Sequence, residues 1–191
     1  MNKPLYLFVG KSGSGKTTIA DMLSEKHGLQ QVESYATRAP RYDGEIGHIF
    51  ISKSEFDALG ELSAYTLYNG NEYGTTFEQL EKCNIYVIDV PGVETLLEKK
   101  NFTRPIRIVY FDTTVHTRIN RMIDRGDHDS AIVARLLQDE EYDWFHKLDS
   151  LVDYYSEFEH KNVGVYVVNA NSNVEQVFKD VESYISNSLE V

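Results

Sequence analysis

One motif restricts the fold of this chain more than any other stretch does. Residues 10–17 read Gly-Lys-Ser-Gly-Ser-Gly-Lys-Thr, the phosphate-loop spacing of a glycine, four residues and then Gly-Lys-Thr. A continuously apolar run, Leu5 to Val9, precedes the motif, and a helix-like run, Thr17 to Lys26, follows it. This order predicts a strand, a loop and a helix, with a nest of backbone N–H groups that binds anionic oxygens at the helix start.

Each residue of the motif has an expected role. Glycines let the backbone curl so that its N–H groups point inward. Lys16 is expected to reach the outer phosphates of a nucleoside triphosphate, while Thr17 offers its hydroxyl to Mg²⁺. The alternative, a surface turn rich in glycine and serine, is disfavoured by the strand and helix on either side. The triphosphate is therefore expected to contact Gly10, Lys11, Ser12, Gly13, Ser14, Gly15, Lys16, Thr17 and Thr18.

Composition narrows the class of protein. A chain of 191 residues with 41% apolar residues can form one compact domain with a sizeable core. The net charge of −11 argues against a nucleic-acid polymer as partner, because such partners favour basic surfaces. A single cysteine, Cys83, excludes an internal disulfide, and no targeting or membrane-spanning segment is visible. A cytoplasmic protein that does not bind membranes is expected.

Apolar strands alternate with helical segments along most of the chain, which is typical of an α/β fold with a mostly parallel sheet. Five core strands are predicted, at residues 5–9, 32–36, 85–89, 106–111 and 163–168. Helices are predicted at residues 15–27, 76–83, 93–100, 114–125, 131–158 and 174–185. Between residues 46 and 73, short strands around an Asn69-Gly70 turn indicate a small mixed α/β insert.

Two arginines and one acid are candidates for a second substrate. Arg38 and Arg41 flank a proline in the loop after a predicted strand. Guanidinium groups bind phosphate in a bidentate manner, which suits a phosphomonoester acceptor, although solvated surface arginines are the alternative. Asp89 closes a predicted core strand, at the edge where open parallel sheets bind ligands. It can hold Mg²⁺ or accept hydrogen bonds from a substrate, or it caps the following helix.

Further arginines follow a helical spacing. Arg118, Arg121 and Arg125 are separated by three and four residues and so share one helix face, and Arg135 follows a polar break. Arg121, Arg125 and Arg135 suit a mobile cationic lid, because phosphoryl transfer spreads negative charge over the transferred oxygens. Arg118 is expected in a basic stripe that pairs with nearby acids.

Several nearby side chains are expected to have structural roles only. The run Asp139-Glu140-Glu141 is typical of a solvated helix face. The aromatic residues between positions 142 and 158, among them Tyr142 and Trp144, are expected to pack in the core rather than to stack on bases.

In order and spacing these pieces resemble the guanylate kinase family, from Gly10 to about Asn169. The resemblance rests on the phosphate loop and on the stretches 34–41, 50–52, 70–76, 88–92, 121–126 and 135–136. It implies a P-loop kinase core with a five-stranded sheet in a single domain over residues 1–191. It also implies a monophosphate-binding insert at residues 35–84 and a helical lid at residues 124–140.

The resemblance further implies an ATP-dependent nucleoside monophosphate kinase that uses Mg²⁺ with ATP, with GMP or dGMP as acceptor. The residues that it places on the acceptor are Ser34, Arg38, Arg41, His48, Tyr73, Thr75 and Asp89. The catalytic residues that it implies are Lys16, Arg38, Arg121, Arg125 and Arg135. Asn169 matches a position near the adenine of ATP.

The chain departs from the family pattern in its acceptor site. His48 stands where the family has a tyrosine, and Val87 where it has a first acid before Gly92. The acid that reads the guanine N–H groups falls on Ala64, whose methyl group accepts no hydrogen bond. Glu72 could supply a carboxylate, but strand alternation places it on the face opposite Tyr73.

Three interpretations therefore remain at the level of sequence. The first is a kinase for GMP or dGMP, and the second is a kinase for another nucleotide on the same core, motivated by Ala64. The third is a non-catalytic module of the same fold that binds proteins. The intact phosphate loop disfavours the third.

Overall fold

The computed structural model describes residues 3–41, 43–140 and 144–189. Within these ranges the strands are β1 (Leu5–Val9), β2 (Ser34–Ala36), β3 (His48–Phe50), β4 (Ala64–Tyr68), β5 (Asn71–Thr75), β6 (Ile85–Val87), β7 (Ile106–Asp112) and β8 (Val163–Asn169). The helices are α1 (Lys16–His27), α2 (Lys53–Asp57), α3 (Phe77–Lys82), α4 (Val90–Glu98), α5 (Val115–Asp124), α6 (Asp129–Glu140), α7 (Trp144–Glu157) and α8 (Val174–Leu189). In these ranges no helix is long and apolar enough to cross a membrane.

A parallel sheet with the strand order β6-β1-β7-β8 forms the centre of the molecule. All five residues of β1 are buried, because helices cover both faces of the sheet. On one face, Leu5 and Leu7 belong to a core cluster with side chains of α4 and α7. On the other, Tyr6 and Phe8 belong to a cluster with side chains of α1 and α8. The central strand therefore holds the loop after Val9 on a rigid base.

The core sheet contains four strands in the described ranges, one fewer than predicted. The predicted strand at residues 32–36 meets this sheet at its start, where Gln31 forms a parallel bridge with Ile85 and the Val32 N–H donates to the Ile85 carbonyl over 2.8 Å. The chain then leaves the core, and β2 pairs with β3 and β5 instead. The apolar pattern identified an extended segment but could not identify its partner, because pairing depends on residues far along the chain.

The segments from β2 to β5 form a second, mixed sheet with the order β3-β2-β5-β4. β2 and β3 are parallel, whereas β5 runs antiparallel to both β2 and β4. Asn69 and Gly70 adopt φ values of 50° and 70° between β4 and β5, as the predicted hairpin turn requires. The hydroxyl of Thr95 on α4 donates to the Tyr65 carbonyl on β4 over 3.1 Å and ties this sheet to the core.

Several helix boundaries differ from the prediction. The segment predicted as one helix at residues 131–158 forms α6 and α7, while Glu141 and Tyr142 lie outside the described residues. α4 begins at Val90, three residues earlier than predicted, because the Asp89 carboxylate accepts the Gly92 N–H over 2.9 Å and caps it. Pro91 fits this first turn because its missing N–H would have no partner there.

Candidate functional site

The loop between β1 and α1 curls through glycines with left-handed backbones. Gly13 and Gly15 have φ values of 78° and 95°, which residues other than glycine rarely adopt. A Cβ atom at Gly13 would lie 2.8 Å from the carbonyl oxygen of Arg118, so α5 packs directly against the loop. The sequence and the packing together fix a concave backbone at the start of α1.

Lys16 folds back over this loop. Its ammonium donates to the carbonyl oxygens of Gly10 and Lys11 over 2.6 and 3.0 Å, and to the Ser14 hydroxyl over 3.2 Å. Burial lowers the pKa of Lys16 to about 8, and the nearby Asp139 carboxylate only partly opposes this change. Lys16 therefore stays charged at neutral pH, in a site where a desolvated cation attracts anions strongly.

A first cavity of about 580 Å³ opens above the loop and collects positive charge. Its polar wall holds the loop from Ser12 to Thr18, including the exposed Thr17 and Thr18. Its cationic side chains are Lys16, Arg41, Arg121, Arg125 and Arg135. The rest of the lining is Tyr68, Asp124 and four apolar residues, Ile19, Ala170, Val174 and Val177. In a chain with a net charge of −11, this concentration of cations marks a site for an anion.

Short contacts place the arginines of α5 and α6. Arg121 donates to the Ser14 carbonyl over 3.1 Å and to the Ala170 carbonyl over 2.8 Å, so it joins the phosphate loop to the segment after β8. Arg125 and Arg135 both pair with the carboxylate of Asp127. The hydrogen bond from Arg125 lowers the pKa of Asp127, and this acid was missed at the level of sequence.

A second cavity, of about 200 Å³, lies beside the first. Four residues line both cavities: Ser12, Lys16, Arg41 and Tyr68. The second cavity is also lined by several residues that the sequence assigned to the acceptor, namely Ser34, His48, Tyr73 and Asp89. The two cavities thus meet at a lysine and an arginine, where two phosphate groups would be shielded from each other by positive charge.

Arg38 and Arg41 are organised by an acid that the sequence did not single out. The Glu45 carboxylate accepts from both Nη atoms of Arg38, over 2.8 and 2.7 Å, and from the Arg41 N–H over 2.7 Å. Although burial acts to raise it, the pKa of Glu45 falls to about 2 because of these arginines. Arg38 also donates to the Tyr73 hydroxyl over 3.1 Å and lies 4.9 Å from the ring centre of Phe50.

His48 is held neutral inside the second cavity. Its Nδ1 lies 2.9 Å from the Ser34 hydroxyl. Burial and then the charge of Arg38 lower the pKa of His48 to about 4. At neutral pH the imidazole therefore acts as a hydrogen-bonding group, not as a cation.

Comparisons with known proteins identify relatives of this chain. No family model matches the chain. A guanylate kinase of Gloeobacter violaceus is 32% identical over 144 residues, covering 69% of this chain and 70% of the relative. The chain belongs to the guanylate kinase family. A guanylate kinase of Fusobacterium nucleatum is 26% identical over 201 aligned positions, covering 97% of each chain. The crystal structure of guanylate kinase from Anaplasma phagocytophilum has the same fold, with a TM-score of 0.53 and 16% identity, over 97% of this chain and 86% of that one.

Family membership identifies the chain as a nucleoside monophosphate kinase with a P-loop α/β fold. Three residues assigned from the family resemblance line neither cavity. The Thr75 hydroxyl is buried and donates to Gln79 Oε1 over 2.8 Å, next to the N-terminal cap of α3. The Asn169 amide oxygen accepts from Asn171 over 3.1 Å, at the end of β8. Arg38 stands behind the cavity wall and acts there through Tyr73 and Glu45.

Of the two interpretations of Asp89, the structure confirms the helix cap, and the ligand role stays a prediction. It caps α4 through Oδ1, and it also lines the second cavity. Burial raises its pKa, against hydrogen bonds from the Gly92 N–H and the Thr66 hydroxyl.

Ala64 is 1% exposed and packs in the core cluster beside α4, outside the cavity lining. Thr66 lies two residues farther along β4, on the same face as Ala64, and does line the cavity. Glu72 faces away from Tyr73, where its carboxylate accepts from the Tyr65 hydroxyl over 3.1 Å and pairs with Lys53. Next to Ala64, the wall of the second cavity therefore offers the hydroxyl of Thr66 and not the carboxylate of Glu72.

Asp139 contradicts the prediction of a solvated helix face. Its side chain is 0% exposed, and its Oδ2 accepts from the Ser12 N–H over 2.9 Å and from Arg118 over 2.7 Å. Arg118 does pair with an acid as expected, but it is 1% exposed and so lies inside the protein. The sequence pattern predicted a solvated polar face here because it cannot show that opposite charges on two different helices pair inside the protein.

Proposed function

We propose that this protein transfers the γ-phosphoryl group of ATP to the phosphate of a nucleoside monophosphate, with GMP or dGMP as acceptor. The observation that carries this proposal is the junction of the two cavities at Ser12, Lys16, Arg41 and Tyr68. A triphosphate in the first cavity and a monophosphate in the second would present their reacting oxygens to each other at this junction. Holding both reactants in line supplies much of the rate enhancement in such reactions.

The first cavity supports ATP as donor. The backbone N–H groups of the phosphate loop and the start of α1 suit the β- and γ-phosphates. Val174 and Val177 offer an apolar surface for a base. Arg121, Arg125 and Arg135 would stabilise charge on the transferred oxygens, and Asp127 would hold the last two in place.

Thr17 fits a magnesium ion that arrives with ATP. Its hydroxyl is exposed on the wall of the first cavity. Magnesium is commonly held by one or two protein oxygens together with phosphate oxygens and waters. Over residues 3–41, 43–140 and 144–189, no three His, Cys, Asp or Glu side chains form a metal cluster. The ion would supply charge neutralisation at the phosphates, and the single hydroxyl suits that binding mode.

The second cavity supports a phosphorylated acceptor. Arg41 and Tyr73 line it directly, and Arg38 reaches Tyr73 from behind. Because the acceptor phosphate is already ionised, the protein needs no general base and forms no covalent intermediate. Ser34, Thr66 and Asp89 would face the base with two hydroxyls and one carboxyl group.

A kinase for another nucleoside monophosphate is the second candidate. This candidate is favoured because Ala64 is buried outside the second cavity and supplies no acid there. The acids among the described residues that line this cavity are Asp89 and Asp139. Discrimination among bases depends on such hydrogen-bond partners. The acceptor base is therefore the property to measure first.

An assay of ADP release from ATP across GMP, dGMP, dTMP, UMP, CMP and AMP tests both candidates. Turnover with GMP or dGMP at the highest kcat/KM supports the first, and preferential turnover of another monophosphate supports the second. ATP binding without turnover of any acceptor would contradict both and favour a protein-binding module.

Replacing Glu45 with glutamine is expected to raise the KM for the monophosphate about tenfold and to leave the KM for ATP unchanged. The carboxylate aligns Arg38 and Arg41 before the acceptor binds. Without the charge of Glu45, part of the binding free energy of the acceptor is used to align the two arginines. Steady-state kinetics with each substrate varied in turn measures both constants. The control is Glu55→Gln, which keeps the capping oxygen of α2. A lower KM would show that Glu45 competes with the phosphate instead.

ATP binding is expected to take up a proton above pH 8. In the free protein the pKa of Lys16 is about 8, so the lysine is charged below this pH and neutral above it. Triphosphate favours the charged form and raises the pKa, so affinity falls as the pH rises above 8. Calorimetric titration at pH 8.5 in two buffers with different ionisation heats measures the proton. Lys16→Arg stays charged and should take up none. Equal apparent enthalpies for the native protein would contradict the expectation.

A further inference from the structure

Two buried polar atoms of the second cavity have no hydrogen-bond partner among the described residues. They are Oδ1 of Asp139 and the indole Nε1 of Trp144. Asp139 is 0% exposed and Trp144 is 7% exposed, and both line the cavity. An unsatisfied buried group costs free energy, so a matched pair of one acceptor and one donor at a single cavity points to a ligand group.

The other carboxylate oxygen of Asp139 already has hydrogen-bond partners. Oδ2 accepts from the Ser12 N–H and from Arg118, so Oδ1 is the oxygen that has no partner among the described residues. The same contacts hold the end of α6 against the phosphate loop. Trp144 starts α7, and its ring packs in the core cluster that contains Leu148 and Val152. Both groups are therefore held rigidly, one on each side of residues 141–143.

The chemistry of the pair selects the ligand group. A phosphate only accepts hydrogen bonds and is repelled by a carboxylate, whereas an ammonium cannot accept from an indole N–H. A hydroxyl does both, since it donates to a carboxylate and accepts from an N–H. Carboxylates bind sugar hydroxyls in this way in dinucleotide sites. In a nucleoside monophosphate, the sugar lies between the phosphate and the base.

We propose that Asp139 and Trp144 bind a sugar hydroxyl of the acceptor and make this kinase discriminate between acceptors that carry this hydroxyl and acceptors that lack it. The inference rests on the proposed function, because it places the monophosphate in the second cavity. Its phosphate then faces Arg41 and Tyr73, its base faces Ser34, Thr66 and Asp89, and its sugar passes the end of α6. The bound hydroxyl also joins the acceptor to the Asp139 contact with the phosphate loop.

The test compares the preferred acceptor with its 2′-deoxy and 3′-deoxy analogues. Trp144→Phe removes the N–H and keeps an aromatic ring. It should lower kcat/KM about fivefold for each nucleotide that carries the bound hydroxyl, and leave the analogue without it unchanged. Asp139→Asn should lower the same values by about ten- to a hundredfold relative to the analogue that lacks the hydroxyl, because a charged hydrogen bond is lost. Phe102→Leu alters the same core cluster outside the cavity and should change no ratio.

The possible results separate the inference from the proposed function. Equal losses for all three nucleotides in Trp144→Phe, or no loss, would overturn the inference and show that the groups bind water or serve packing. A change in the ranking of bases at constant sugar would overturn it too, in favour of a base contact. If the native protein turns over no monophosphate, the proposed function itself fails. Melting temperatures of the variants show whether a loss of folding contributes.

Discussion

Replacing Lys16 with alanine is expected to lower kcat/KM for phosphoryl transfer by about a thousandfold or more. Lys16 lines both cavities and is the cation placed at their junction by the phosphate-loop motif. In this buried position, its charge acts on the transferred phosphoryl group with little screening by water. Rate measurements at saturating ATP and acceptor give kcat, and single-substrate titrations separate the loss of binding from the loss of chemistry.

The fold should survive this replacement. Burial already disfavours the charged form of Lys16, so removing the ammonium relieves a desolvation cost while it breaks three local hydrogen bonds. The melting temperature should therefore change little. Lys26→Ala, at the exposed end of the same helix where it pairs with Glu182, is the matched control and should retain full activity. A Lys16→Ala variant with near-native kcat would contradict the proposed site, whatever its stability.

Features encoded by neighbouring residues could be predicted from the sequence. The phosphate loop depends on glycine spacing, the strands on continuous apolar runs, and the hairpin on Asn69-Gly70. Each of these is a local property of the chain, and β1, the curled loop after it and the hairpin turn form in the structure as predicted. The family resemblance added the order of the acceptor and lid residues, which single motifs do not specify.

Pairings between distant segments could not be predicted. Glu45 orders two arginines, Asp127 orders two others, and Asp139 meets Ser12 and Arg118 inside the protein. An acid in a polar stretch looks the same in sequence whether it faces water or a buried cation. The displaced fifth strand has the same origin, because an extended segment pairs with whichever sheet the tertiary structure offers. A useful signal would have been an arginine at a helical core position, since Arg118 shares its helix face with the buried Met122.

Replacing Arg118 with leucine is expected to destabilise the protein by about 3–5 kcal/mol, the largest stability loss that the structure predicts. The change leaves the Asp139 carboxylate buried without its guanidinium partner, at 0% exposure. For a chain of 191 residues this corresponds to a fall in melting temperature of roughly 6–20 °C. Urea unfolding followed by circular dichroism measures the free energy of unfolding directly.

A double-mutant cycle decides whether the loss belongs to the pair. Arg118→Leu with Asp139→Leu removes both charges, so most of the stability should return, apart from about 1–3 kcal/mol for the Ser12 N–H that loses its acceptor. The exposed pair Glu78 and Lys82, replaced by alanine singly and together, should show no comparable coupling. The stable double variant should nevertheless bind ATP and acceptor less well, because α6 no longer holds the phosphate loop. If the two single losses simply add, the buried pair does not act as a unit, and the junction between α6 and the phosphate loop must depend on other contacts.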